Sequence, residues 1–335
     1  MRILATLYPL LRRYMVWCSM VQSTATVMGA QIETMRDFSQ HYWQTLTKMD
    51  FEHLLELALF EDIETLGDLT SLALIPETAQ GSATVVARTA GIVAGIPIVL
   101  QILSMVDPKL TWDSTFRDTS ALTCGAIVGS IHGPASSLLM AERPIMNFLG
   151  RLSGIATLTR RYVDLVQGTK ANIYDTRKTT PGWRRLEKYA VNCGGGKNHR
   201  SGLYDAILIK DNHLALGRKG SKPFSPAEAV IQAKEFLKLR FTELPILEIE
   251  VDTLEQFREV LPTEPDIVLL DNMTTAQIAE AVQLRNSLKS AVQLEASGGV
   301  TLKTVRAIAE AGVERISVGA LTHSAVSLDF SLEWE

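Results

Sequence analysis

The chain has 335 residues, enough at roughly 150 residues per domain for two domains that each bury a core. A formal net charge of −4 excludes the broad basic field that nucleic-acid binding leaves, and no run approaches the roughly 18 uninterrupted apolar residues of a membrane helix. Three cysteines, Cys18, Cys124 and Cys193, make no C-x-x-C pair, which fits a reducing compartment and argues against a disulfide framework or a structural zinc site.

Residues 1–30 contain apolar runs broken by Arg12-Arg13 and no acidic residue. A secretory signal would need a longer clean apolar core, and an organelle-targeting segment is also open. The reading adopted for 1–48 is a poorly ordered or mis-started extension, with the domain beginning near Met35 or Met49. From Asp50 to Leu59 the apolar residues have helical spacing. The acidic stretch Glu61 to Thr70 lacks the ligand spacing of a calcium loop and suits capping and turns. Strand-like segments Gly81 to Arg88, Gly91 to Ala94 and Gly125 to His132, with turns between them, predict an antiparallel α+β domain.

A long helix is predicted to open at Glu142-Arg143-Pro144 and run to about Val166, with Pro144 near the first helical position and Ile145, Leu149, Leu152 and Ala156 forming one apolar stripe. Arg143 beside the positive end of a helix dipole would cost about 0.3 to 1 kcal/mol unless an anion lies between them. Pairing with Glu142 is the bland alternative.

Beyond this helix the pattern changes to strand, polar terminus, helix. Ala171 to Tyr174 leads into Asp175-Thr176-Arg177-Lys178, and Ala206 to Ile209 into Lys210-Asp211-Asn212-His213. Ile246 to Val251 carries Glu248 and Glu250 on one face, because strand side chains alternate. Asp266 to Leu270 ends at Asp271-Asn272, Val292 to Glu295 leads into Ser297-Gly298-Gly299, and Arg315 to Val318 into Gly319. Helical stretches such as Thr275 to Leu288 lie between. This repetition predicts a parallel α/β barrel, whose chemistry belongs at the strands' C-terminal ends. Arg177 and Lys178 then suit an anionic substrate, although a basic turn can also be merely solvated. Gly194-Gly195-Gly196-Lys197 fails as a P-loop, since Val191 replaces its first glycine and Asn198 follows the lysine; a flexible loop at the site is expected instead. His41, His53 and His132 are isolated and suit surface or satisfied-core roles.

These residues also carry a family pattern. Glu142-Arg143, Asn147 and Arg151-Leu152-Ser153-Gly154-Ile155-Ala156-Thr157 resemble the helix of the quinolinate phosphoribosyltransferases. So do Asp175 to Gly182, Glu187 to Val191 with Cys193 to Gly196, Asn198-His199-Arg200, Lys210 to His213, Glu248 to Val251, Leu270-Asp271-Asn272 and Glu295 to Gly299. The resemblance covers about Phe51 to Leu332. Glycine before Arg151 and Ile249 between the glutamates depart from the commoner residues without touching the proposed chemistry. The resemblance implies an α+β sandwich domain over 49–145, with 325–335 packed on it, and a type II phosphoribosyltransferase-like barrel over 146–324.

It further implies that quinolinate and phosphoribosyl pyrophosphate react with Mg²⁺ to give nicotinate mononucleotide, pyrophosphate and carbon dioxide, in the cytoplasm and toward NAD. Planar guanidinium groups grip carboxylates with paired hydrogen bonds, so Arg177 and Arg200, with His199, are the expected dicarboxylate site. The resemblance implies that Arg143 enters from a neighbouring subunit, making a homodimer the minimum unit; a hexamer also fits. Lys178 and Lys210 suit the pyrophosphate, and Glu250 and Asp271 the ribose, the Mg²⁺ and the developing oxocarbenium charge. Ser297, Gly298, Gly299 and Gly319 offer backbone N–H groups to a 5′-phosphate, with His323 nearby. A related transferase acting on another acid and a non-catalytic phosphosugar or dicarboxylate binder are the rival readings.

Overall fold

The computed structural model describes residues 36–219 and 221–334. The first helix, Thr45–Ile63, buries Phe51 and Leu55, and Asp68 caps the short Leu69–Leu74 helix by accepting from the Thr70 and Ser71 N–H groups. The acidic stretch therefore serves as turn and cap. Four antiparallel strands follow in the spatial order Phe330–Trp334, Gln80–Ala87, Ile127–Pro134, Thr111–Ser114, so the chain's last strand closes against the first of this sheet. The apolar Ile96–Val106 helix packs on the sheet's Thr111–Ser114 strand and on the long helix.

That long helix begins at Ala135, not at Glu142, and runs to Leu165 with Pro144 in its interior. The apolar stripe already includes buried Leu138 and Ala141, so packing carries the helix across a proline that the sequence reads as a start. Arg143 consequently lies mid-helix, and the expected dipole conflict does not arise. Gly150 and Gly154 let the 326–328 segment cross closely: a side chain at Gly154 would collide with the Val326 carbonyl.

The second half supplies six parallel strands in the order Asn172–Tyr174, Arg315–Ser317, Gln293–Ser297, Ile267–Asp271, Ile246–Val251, Ala206–Ile209. Their inner faces are near-continuously buried, as strands covered on both sides must be. The two end strands do not pair. Lys197 makes a parallel bridge to Tyr174 on the free side of the first strand, and the following residues line the gap. His199, tied to that edge, reaches Glu248 near the other edge, so the sheet is curled into a barrel.

Part of the expected N-terminal extension is packed structure. Residues 37–43 lie against the barrel: the His41 N–H donates to Asn198 Oδ1 (2.7 Å), and the Asn192 side-chain amide donates to the His41 carbonyl (2.7 Å). Residues 1–35 lie outside the described residues. His41 is a buried histidine, its Nε2 2.6 Å from Ser201 Oγ and its Nδ1 without a hydrogen-bond partner. Burial, then the charges of Lys188 and Arg185, depress its pKa from 6.5 to about 4. Between those values the unfolded state binds the extra proton, so stability falls as pH drops through this window. Urea unfolding at about pH 7 and pH 4.5 should show an acid loss of up to about 3 kcal/mol that His41→Gln flattens. Identical acid limbs for both proteins would refute this.

Candidate active site

At the C-terminal ends of the strands is a cavity of about 280 Å³. Arg177, Lys178, His199, Arg200 and Lys210 line it, with Ser317 and Glu295 deeper in the wall. A larger cleft of about 560 Å³ lies outside the Ala206–Ile209 strand, but its walls are mainly apolar, such as Leu203, Phe224 and Phe236. Clustered cations make the smaller cavity the better anion site.

The basic loop after Tyr174 is held from beneath. Asp175 and Lys188, both fully buried, form an ion pair; Asp175 also accepts from the Asn198 side chain (2.7 Å) and the His199 N–H (2.9 Å), while Lys188 donates to the His199 carbonyl (2.9 Å). Burial pushes the Asp175 pKa up and the Lys188 pKa down, and each partner's charge opposes the change. Farther along the loop, buried Glu187 accepts from the Thr180 N–H (3.1 Å) and hydroxyl (2.9 Å) and from Arg151 (2.6 Å). Thr322 Oγ1 donates to the Lys178 carbonyl (2.7 Å). Asp175, Glu187, Lys188, Asn198 and Arg151 had no assigned role from sequence. The available signal was charge at otherwise apolar positions: Glu187 and Lys188 sit among buried Leu186, Tyr189, Ala190 and Val191.

Arg177 Nε is buried with no hydrogen-bond partner. The Arg200 pKa is lowered by burial and then by the charge of Arg177, so the two guanidinium groups share one space. Lys210 pairs with Glu250, whose pKa burial raises against the pull of Lys210, with Asp271 adding to the rise. Asp271 closes its strand and accepts from the Asn272 side chain (2.7 Å). Gly298, at φ +89°, touches this corner so closely that a side chain would strike Asn272 Oδ1. Ser297 contributes its carbonyl to the Asn272 N–H (3.0 Å), and Gly299 faces open space. Across the mouth, Gly319 lies against both Lys178 and His323.

Arg143 is outside this chain's own cavity, 74% exposed, 3.6 Å from Glu142, and beside Asp62 and Asp68 in a surface cleft. One expected placement differs. Gly194 and Gly196 are not a loop at the site; they press on Thr159 of the long helix, where a side chain would not fit.

His199 is turned inward, its Nε2 3.0 Å from Glu248 and 3.4 Å from Glu295. Burial would lower its pKa, but the two carboxylates raise it to about 10. Conversely, burial would raise Glu295, and His199 and Arg315 hold it down at about 2. The Arg200 N–H donates to His199 Nδ1 (2.8 Å), which asks for a lone pair there, so this bond opposes full protonation. Both effects put a proton on Nε2, facing Glu248. Among the described residues, His199, Glu248 and Glu295 also converge closely enough to suggest a metal cluster. Arg315 already occupies the second oxygen of Glu295 (2.8 Å), and a nitrogen ligand suits Mg²⁺ poorly. Glu250 and Asp271, each with one carboxylate oxygen not taken by Lys210 or Asn272, are oxygen donors at an open mouth and fit Mg²⁺ better, because that ion keeps water and substrate phosphates as ligands.

A family model described as quinolinate phosphoribosyl transferase, C-terminal domain, matches residues 155–333, and its N-terminal counterpart matches 68–153. The chain belongs to the quinolinate phosphoribosyltransferase family. It is 38% identical over 288 residues to a probable nicotinate-nucleotide pyrophosphorylase (carboxylating) of Bacillus subtilis, covering 86% of this chain and 94% of that protein. A Mycobacterium leprae enzyme of the same name is 41% identical over 278 residues, covering 82% and 94%. The solved nicotinate-nucleotide pyrophosphorylase of Francisella tularensis superposes with a TM-score of 0.79 at 34% identity, over 89% of this chain and all of that one. The family resemblance read from the motifs and the expected two-part α/β architecture are both borne out.

In this quinolinate phosphoribosyltransferase fold the Asp175–Lys188 pair holds the loop geometry. Asp175→Asn should leave Lys188 buried without its counter-charge and cost about 3–5 kcal/mol in urea unfolding, and adding Lys188→Met should recover much of the loss. A single variant as stable as the parent would show that the pair is not needed.

Proposed function

We infer that the protein transfers the phosphoribosyl group of phosphoribosyl pyrophosphate to the ring nitrogen of quinolinate, yielding nicotinate mononucleotide, an NAD precursor, with pyrophosphate and carbon dioxide. The observation that carries the assignment of residues is the convergence of Arg177 and Arg200 in one cavity, with Arg177 Nε buried and unpartnered. Two guanidinium groups held together against their repulsion fit two adjacent carboxylates, each able to accept paired hydrogen bonds. His199, with its proton on Nε2, sets the inner wall beside them.

Lys178, against Gly319 and His323, faces the phosphate side of the mouth, where Ser297, Gly298 and Gly299 offer backbone donors. Lys210 and Glu250 stand between the two halves of the site. Glu250 and Asp271 hold the ribose and, with the substrate's own oxygens, would hold Mg²⁺, which would supply charge neutralisation at the pyrophosphate leaving group. Positioning does most of the remaining work. The pyridine nitrogen bonds to the anomeric carbon as the carbon–pyrophosphate bond breaks. The resulting pyridinium stabilises the carbanion left when the neighbouring carboxylate departs as carbon dioxide, and that carbon then takes up a proton. No side chain forms a covalent bond to substrate.

Arg143, exposed on the long helix, is proposed to complete the site of a second copy in a homodimer. Its exposure and its place outside this chain's own cavity support that reading. A cytoplasmic location is part of the same proposal, supported by free Cys124 and Cys193; among the described residues no helix is long and apolar enough to cross a membrane.

Purified protein should release label from ring-2-carboxyl quinolinate only with phosphoribosyl pyrophosphate and Mg²⁺ present, while nicotinate in a parallel reaction gives no nucleotide. Arg177→Ala should raise the KM for quinolinate by about 100-fold with a much smaller change for the sugar substrate. Equal losses for both would remove Arg177 from the acid site. Asp271→Asn should act mainly on kcat, and unchanged turnover would exclude it.

A further inference from the structure

Residues 37–43 precede both family-model matches, the first of which begins at 68, yet they close the floor of the barrel. Phe38 is only 5% exposed and packs with Ala206, Ile246 and Ile267, which lie at the lower ends of three adjacent strands. Its ring stacks on the His199 imidazole, with centroids 4.3 Å apart and planes 29° from parallel, and the Arg315 guanidinium carbon is 4.9 Å from its centre.

The segment is gripped on both sides of Phe38. Asp37 accepts from Arg315 Nη1 (2.9 Å) and from the Tyr174 hydroxyl (2.9 Å). Gln40 brackets Asn198, accepting from its N–H (2.8 Å) and donating to its carbonyl (3.3 Å), and the His41 N–H takes the Asn198 side chain. Asn198 immediately precedes His199. The arm thus holds both the backbone that carries His199 and one face of its ring.

We propose that Phe38 is a positioning residue for the dicarboxylate end of the substrate cavity, fixing the plane of His199 from the floor side and, through the Arg200 N–H bond to His199, the backbone from which Arg200 reaches the substrate. The proposal rests on the assignment of His199 and Arg200 to quinolinate made above. A flat apolar ring is the feature that matters. Without it, the imidazole can tip into the space left behind and water gains access to its inner carboxylates. Distortions of this kind, small in distance, cost rate and affinity because reacting groups must be held within fractions of an ångström.

The test uses the full chain with Phe38→Ala, Phe38→Leu and His199→Ala, reading KM for each substrate, kcat and Tm. Phe38→Ala should raise KM for quinolinate by about tenfold while KM for phosphoribosyl pyrophosphate changes by less than about twofold. Phe38→Leu refills the floor and should regain much of the Tm but not the quinolinate KM, since it has no flat face. Should Phe38→Ala fail to fold, Phe38→Leu carries the test alone. A lower Tm with both KM values unchanged, or raised in parallel, would reduce Phe38 to a stabilising plug and overturn the proposal. If Phe38 variants weaken quinolinate binding while His199→Ala does not, the effect does not run through His199 and the proposal falls. If neither residue matters for quinolinate, the assignment of His199 itself has failed.

Discussion

The site depends on the buried pair of Asp175 and Lys188. It joins three pieces of chain distant from one another in function: the strand end that launches Arg177 and Lys178, the Arg184–Cys193 helix, and the stretch that carries His199 and Arg200. A buried ion pair adds little net stability, because desolvating two charges offsets most of their attraction. What it supplies is a fixed relation between groups that would otherwise separate. Burial first, and then the charge of Arg177, lower the Arg200 pKa, and a scaffold built from apolar contacts alone would relax by moving the two guanidinium groups apart. Asn198 and the His199 backbone add three further hydrogen bonds to Asp175 and Lys188, so the arrangement has few alternatives.

Charge is layered along the barrel axis. The floor pairs Asp37 with Arg315 and Tyr174; above it, Glu248 and Glu295 face His199; above these, Arg177, Arg200 and Lys178 stand nearly without protein counter-charges. The acids are placed deep or to one side, as with Glu250 on Lys210. This ordering leaves positive potential at the mouth of the cavity, while keeping each buried carboxylate beside a donor. A mouth with two converging guanidinium groups favours two carboxylates over one, which argues against the rival reading of a transferase for a monocarboxylic acid.

How legible this was in the sequence depended on the range of the forces involved. All six barrel strands were visible, because a buried parallel strand is a short apolar run and its polar terminus marks where chemistry can sit. Glu248 and Glu250 were placed on one face by the period of two, though the partner of Glu248, His199, lies 49 residues away in sequence and was not foreseeable from pattern. The helix start was misread because Pro144 obeys a local rule that burial of Leu138 and Ala141 overrides. The arm at 37–43 was missed for a related reason. It has no periodicity of its own and is held by Asn198 and Arg315, whose positions only the folded barrel defines.

The long Ala135–Leu165 helix gives these separate layers a common frame. Arg143 projects from its outer surface, and two turns farther on Arg151 turns inward, binding Glu187 and the carbonyls of Thr322 and Ala325. Glu187 in turn holds Thr180, at the end of the loop that carries Arg177 and Lys178. An exposed cation and the support of this basic loop therefore sit on one element, fixed relative to each other by its hydrogen-bonded backbone. Close passage of the 326–328 segment over Gly150 and Gly154 ties the same element to the strand that closes the first sheet.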